Sequence, residues 1–324
     1  MIRWGLIGCG DVTEVKSGPA YQQVPGFELH TVSARTPGKA QDFATRHHVP
    51  CYYTDSSKLI HDPNVDAVYI ASPPDSHLEL ALEVANAGKI CCIEKPMAVN
   101  HQQCEQILDA FSTNNLPLFV AYYRRSLPGF VQIKNWITEG VIGEVRHIDW
   151  RYSRPPSQID LDGRPNWRTD KHVAPGGYFD DLASHGIDIM TFLLGNVRKA
   201  QGFATNQQAL YSASDAIVAS LLFECGATGS GSWNFASECY QDQMEILGSK
   251  GSIRFGIFSD MPASLLAQDG CASAQMPKPT PIQLPFVQAI ADHLAGIHAH
   301  PSLGQSAAHT SWVMDAILTT NQVK

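Results

Sequence analysis

The chain has 324 residues, long for one compact core and usual for two domains. Hydrophobic residues make up 44% and charged residues 17%, which excludes a disordered chain. A formal net charge of −8 argues against nucleic acid or an acidic membrane surface as a general partner. No run of about 18 apolar residues is present to cross a membrane.

Arg3-Trp4-Gly5-Leu6-Ile7 reads as a first strand, so Met1–Gly8 is expected to be structure and not a signal peptide. Further short apolar runs follow at Leu29–Ser33, Ala67–Ala71, Ile90–Ile93 and Leu118–Ala121. Helical patterns lie between them at Pro37–His47, Leu78–Ala87 (closed by Gly88) and Gln102–Ser112. This alternation predicts parallel βαβ units, and hence an α/β doubly wound (Rossmann) domain over residues 1–122.

After residue 123 the texture changes to strand-like alternation. Ile148, Trp150 and Tyr152 point one way, and His147, Asp149 and Arg151 the other. Runs at Ser214–Phe223, Thr228–Ala236, Gln243–Leu247 and Ser252–Phe258 predict a large, mainly antiparallel open sheet. Ser273–Pro285 is loop-like, and Phe286–Ile297 and Ser306–Thr319 read as helices. Residues 123–324 are therefore expected to form an α+β domain for substrate and oligomerisation, with the C-terminal helix able to return to the first domain. An open sheet with one bare apolar face would need covering, so a homodimer or homotetramer through that face is expected.

The eight cysteines (9, 51, 91, 92, 104, 225, 239 and 271) form no C-x-x-C pair. Free thiols in a reducing cytosol are expected, and with them a cytoplasmic location. His47-His48 and His298 with His300 lack a carboxylate or cysteine at ligand spacing, so no metal is predicted.

Gly8-Cys9-Gly10-Asp11-Val12-Thr13 follows the first strand directly. The first glycine permits a tight turn, and the second lets the backbone approach a pyrophosphate resting on the next helix N-terminus. Thr13 stands where the usual third glycine would. The end of the second strand, Val32-Ser33-Ala34-Arg35-Thr36, carries no acid for a ribose 2′-hydroxyl. Arg35, Thr36 and Lys39 are suited to a 2′-phosphate, which predicts NADP(H) in preference to NAD(H).

Lys95, Asp181 and His185 are the candidate catalytic residues. A lysine, a carboxylate and an imidazole can together move a proton on and off a hydroxyl, as hydride transfer between an alcohol and a ketone requires. Asp181 and His185 share a face if their segment is helical. The stretch from 150 to 178, with Arg151, Tyr152, Arg154, Asn166, His172 and Tyr178, is expected to supply the substrate pocket.

In order along the chain stand Gly8-Cys9-Gly10, Ser72-Pro73-Pro74-Asp75-Ser76-His77, Glu94-Lys95-Pro96, Trp167-Arg168 before a glycine pair, Asp181-x-x-x-His185, and Ile246–Ser252. With these, the sequence resembles the glucose–fructose oxidoreductase / inositol dehydrogenase / MocA (Gfo/Idh/MocA) family. Tyr178 and Ala183 stand where relatives often carry glycine. The resemblance implies that Ser72, Pro73 and His77 line the nicotinamide ribose. It puts Glu94 and Lys95 beside the nicotinamide, often with a cis bond before Pro96, and Trp167 and Arg168 near the same end. Tyr123 and Arg124 (or Arg125) are expected near cofactor or substrate, and Asp188 is assigned to the substrate side or to supporting the site. The implied activity is NAD(P)-dependent hydride transfer on a secondary alcohol of a sugar, polyol or related cyclic diol. His185 is its acid–base and Lys95 holds the alkoxide. A redox-neutral sugar-modifying enzyme with tightly bound dinucleotide, and a non-catalytic regulator, are the alternatives.

Overall fold

A computed structural model describes residues 1–268 and 270–319. The chain divides into two compact units, Met1–Ser126 with Lys278–Ala308, and Leu127–Pro277 with the segment from His309 onward.

In the first unit, six parallel strands are β1 (Ile2–Ile7), β2 (Phe27–Ser33), β3 (Cys51–Tyr53), β4 (Ala67–Ile70), β5 (Ile90–Ile93) and β6 (Leu118–Val120). Their order is β3-β2-β1-β4-β5-β6. The order reverses at β1/β4, the crevice where open α/β sheets bind ligands. Strands β4 and β5 are almost wholly buried, as parallel strands covered on both faces must be. Helices Lys39–Arg46, His77–Asn86 and His101–Thr113 lie between strands. Gly88, at φ +70°, follows the second of them as the left-handed residue a helix end favours. The returning segment 278–308 completes this unit. Phe119 bridges to Leu303, and the Ser302 hydroxyl donates to the Val120 carbonyl (2.7 Å), so the β6 edge is covered.

The second unit holds an eight-stranded sheet. Its strands are β7 (Val145–Ser153), β8 (Val197–Thr205), β9 (Ala216–Phe223), β10 (Thr228–Asn234), β11 (Gln241–Gly248), β12 (Gly251–Phe255), β13 (Ala263–Ala267) and β14 (Gly270–Ala274). The order is β14-β13-β12-β11-β7-β10-β9-β8, antiparallel except for β7 with β10. Ile148, Trp150 and Tyr152 are buried on one face, with Trp233 and Phe235 packed around them. The helix Ser184–Leu194 lies on this face, because Gly186 has no side chain: a Cβ there would sit 2.1 Å from the Trp150 ring.

The outer face differs from expectation. Its centre is polar, with His147 bonded to Thr228 and Ser230, Ser230 to Asp149, and Arg254 to Glu245. Among the described residues of this face, the large exposed apolar side chains are Phe203 beside Val218, and Leu247 and Leu266 flanking Ser252. Alternation puts His147, Asp149 and Arg151 of β7 and Thr228, Ser230 and Ser232 of β10 where a bare apolar face was expected.

Candidate active site

In the first unit the glycine loop is built at the β1/β4 switch point. Gly8 has φ +107°, and a Cβ on it would lie 2.7 Å from the Ala71 carbonyl oxygen. A Cβ on Gly10 would meet nothing within 4 Å, so the backbone there is open to a close ligand. Thr13 is fully buried, and its hydroxyl approaches the carbonyls of Gly8 (3.0 Å) and Gly10 (2.8 Å), tying the loop together. The following helix opens with a π turn, Thr13–Ser17, whose predecessors Asp11 and Val12 are at least partly accessible. Cys9 is directed at the Ser33 carbonyl, and burial pushes its thiol up to about 11, so it is an inert wall. Arg35, Thr36 and Lys39 are all exposed at the end of β2. The cradle shaped by Gly8 and Gly10 therefore fits a dinucleotide.

His77 is wholly buried. Its Nε2 faces the Ser72 carbonyl (2.8 Å) and its Nδ1 the carbonyls of Pro96 (3.1 Å) and Met97 (3.3 Å). It staples the Ser72–Pro73 loop to the Lys95–Pro96 loop, and desolvation holds its pKa below the usual imidazole value. The Lys95–Pro96 bond is cis. Glu94 is buried and accepts from the Tyr69 hydroxyl (2.6 Å), Gln283 Nε2 (2.9 Å) and the Lys95 backbone N–H (3.1 Å). Lys95 itself is half-buried. Tyr123 and Arg124 lie in a buried turn, Tyr123–Ser126, with the guanidinium 4.9 Å above the Tyr123 ring. Neither Arg124 nor Arg125 is on the surface, and Arg125 donates to the Pro301 carbonyl (3.0 Å).

In the second unit a π turn, Phe179–Ala183, runs into the helix Ser184–Leu194. Single π turns inside helices recur at functional sites. Asp181 lies in the π turn and His185 in the first helical turn, four residues on, with 7% and 6% of their surface exposed. Arg168, expected at the cofactor, donates from Nε to Asp181 at 2.5 Å, and its guanidinium lies 4.4 Å over the Trp167 ring. The His185 ring is 5.9 Å from Phe258, edge to face. Asp188, wholly buried, accepts from the Thr310 hydroxyl (3.2 Å). Tyr178 is buried too. Its hydroxyl meets both oxygens of Asp160 (2.8 and 2.9 Å) and Asn166 Nδ2 (3.0 Å), so it holds the wall of the site.

Two supports were not foreseen. Asp242 accepts from Trp150 Nε1 (3.0 Å) and from the backbone N–H groups of Ile257 (3.1 Å), Phe258 (2.6 Å) and Ser259 (2.9 Å), which fixes Phe258 against His185. Gln283 braces Glu94 from 189 residues away. Neither sits in a motif; the available signal for Asp242 was an acid at the start of a strand. Among the described residues no group of three or more His, Cys, Asp or Glu is arranged to hold a metal ion, and no helix is long and apolar enough to cross a membrane.

A switch-point glycine cradle beside an anchored Glu-Lys-Pro turn, with a second unit on a large open sheet, defines a nicotinamide-dinucleotide oxidoreductase. Residues 2–122 match the oxidoreductase family with an NAD-binding Rossmann fold, and residues 130–254 match the GFO/IDH/MocA C-terminal domain. The chain belongs to the Gfo/Idh/MocA oxidoreductase family and is an NAD(P)-dependent dehydrogenase or reductase. It is 34% identical to oxidoreductase P35 of Formosa agariphila, over 98% of this chain and 99% of that protein. It is 26% identical to trans-1,2-dihydrobenzene-1,2-diol dehydrogenase of Danio rerio, over 86% and 81%. A levoglucosan dehydrogenase solved with NADH and levoglucosan shares the fold, with a TM-score of 0.86, 23% identity, and 98% and 96% of the two chains covered.

Proposed function

We propose that this protein transfers a hydride between NADP(H) and a secondary alcohol or ketone on a sugar, polyol or related cyclic diol. The observation that carries the reading is the helix entry in the second unit. It holds Asp181 and His185 four residues apart, both buried, with Asp181 clamped by Arg168. The bound nicotinamide supplies the hydride acceptor or donor. His185 takes the hydroxyl proton during oxidation and returns it during reduction. Lys95 donates to the same oxygen and carries its developing negative charge. Asp181 fixes the polar end of the substrate or the imidazole. Gly8, Gly10 and the Val12 end of the helix hold the pyrophosphate. The Ser72–Pro73 loop and Glu94 shape the nicotinamide end, Trp167 approaches it, and Arg35, Thr36 and Lys39 receive the 2′-phosphate. Dehydrogenase relatives named for levoglucosan, inositols and a dihydrobenzenediol support the substrate class. A homodimer or homotetramer through the outer sheet face belongs to the same reading, anchored on the Phe203–Val218 and Leu247–Leu266 spots.

The test is a panel of sugars, inositols, ketoses and diols, followed at the reduced-nicotinamide absorbance with each cofactor. Turnover of a cyclic polyol with NADP(H) is expected. A firm preference for NAD(H) would overturn the cofactor assignment, and no turnover across the panel the substrate class.

A further inference from the structure

The second unit carries a cleft of about 540 Å³ lined by Asp160, Asn166, Trp167, Asp170, Leu210 and Tyr211, among others. Its size is that of small-molecule sites. Trp167 lines it, and the next residue, Arg168, holds Asp181 of the proposed chemistry. We infer that this cleft receives the second ring of an uncharged glycoside, so that the substrate is a disaccharide or another neutral glycoside instead of a free monosaccharide or a nucleotide sugar. This deepens the reading above and rests on it.

Two features select that occupant. Trp167 and Tyr211 offer aromatic surface, whose electron-rich face attracts the C–H side of a sugar ring. Asn166, Thr169 and Ser212 add short polar groups for hydroxyls. The charge balance disfavours a diphosphate. Asp160 and Asp170 are carboxylates, and among the described lining residues the cation is Arg164, whose Nε already lies 3.2 Å from Asp162. With two carboxylates and one cation in its lining, the cleft disfavours an anionic ligand. The walls are also braced: Asp160 is held by the Tyr178 hydroxyl and the Ser157 hydroxyl (2.6 Å), and Ser212 Oγ accepts from the Lys171 N–H (3.1 Å).

The experiment is steady-state kinetics of the full-length enzyme on matched monosaccharides, their disaccharides and methyl glycosides, and uridine-diphosphate sugars. Calorimetric binding of the same disaccharides accompanies it. A kcat/KM for a disaccharide at least about tenfold above its monosaccharide is expected, the scale of one aromatic contact. Tyr211→Ala and, as a milder exposed change, Leu210→Ala should raise the disaccharide KM and leave monosaccharide kinetics unaltered. Equal kcat/KM for both sugars, a preference for the nucleotide sugar, or variants that weaken both substrates alike would overturn the inference while the hydride-transfer reading stands. Disaccharide binding that both variants weaken, without oxidation of any sugar, would support the cleft and overturn the redox reading.

Discussion

Arg168 donates from Nε to the carboxylate of Asp181 across 2.5 Å, tying the loop before the glycine pair to the helix entry that carries His185. Asp181 is nearly buried and the pair is partly screened from water, so the contact fixes geometry more than it adds stability. Arg168→Met should lower kcat about 10- to 100-fold, the scale of a misplaced reacting group, with a smaller change in KM. Arg168→Lys should recover only part of the loss, because an ammonium lacks the planar fork. Steady-state kinetics of both variants checks this; an unaltered kcat in Arg168→Met would contradict it.

Gln283 donates to buried Glu94, which in turn accepts the Lys95 N–H. Gln283→Leu leaves that carboxyl short of one donor. A loss of about 1–3 kcal/mol is expected, read as a lower urea midpoint, together with a reduced kcat. A midpoint equal to wild type would refute the bracing role.

Gly186→Ala places a methyl 2.1 Å from the Trp150 ring. Overpacking of this kind costs about 1–3 kcal/mol. Thermal denaturation should show a lower Tm, and activity should fall with it as the helix lifts from the sheet. A variant with unchanged Tm would mean that the helix yields freely.

Asp180 keeps part of its surface in solvent, yet protein packed around its carboxyl pushes it up to about 7 by desolvation. A carboxyl raised above its unfolded value binds more protons when folded than when unfolded. Its contribution is therefore largest in acid and declines as pH rises from about 4 to about 7. Asp180→Asn keeps an acceptor for the Gly176 N–H and carries no charge. Relative to wild type it should be more stable at pH 8 than at pH 4. Denaturation midpoints across that range give the answer, and parallel curves for the two proteins would count against the shift.

Much of this was readable in the chain. The apolar runs of β4 and β5 and the alternation of Ile148, Trp150 and Tyr152 are local signals, and they fold as they read. The glycine turn after β1 was equally plain. What escaped depends on distance or on subtle winding. β3, β13 and β14 are only three to five residues long, too short for periodicity to reveal them. The π turn at Phe179–Ala183 changes helical phase without a composition signal. His77 reads as a ligand-loop residue, but its environment is three carbonyls that only folding brings together. The bracing of Glu94 by Gln283 joins residues no local pattern links.

The most direct test of the account is the Lys95→Met enzyme, assayed for turnover and, in the same preparation, for dinucleotide affinity by fluorescence titration. Dinucleotide affinity close to wild type with turnover reduced at least about 100-fold is the predicted result. Wild-type turnover in that variant would contradict the proposed chemistry.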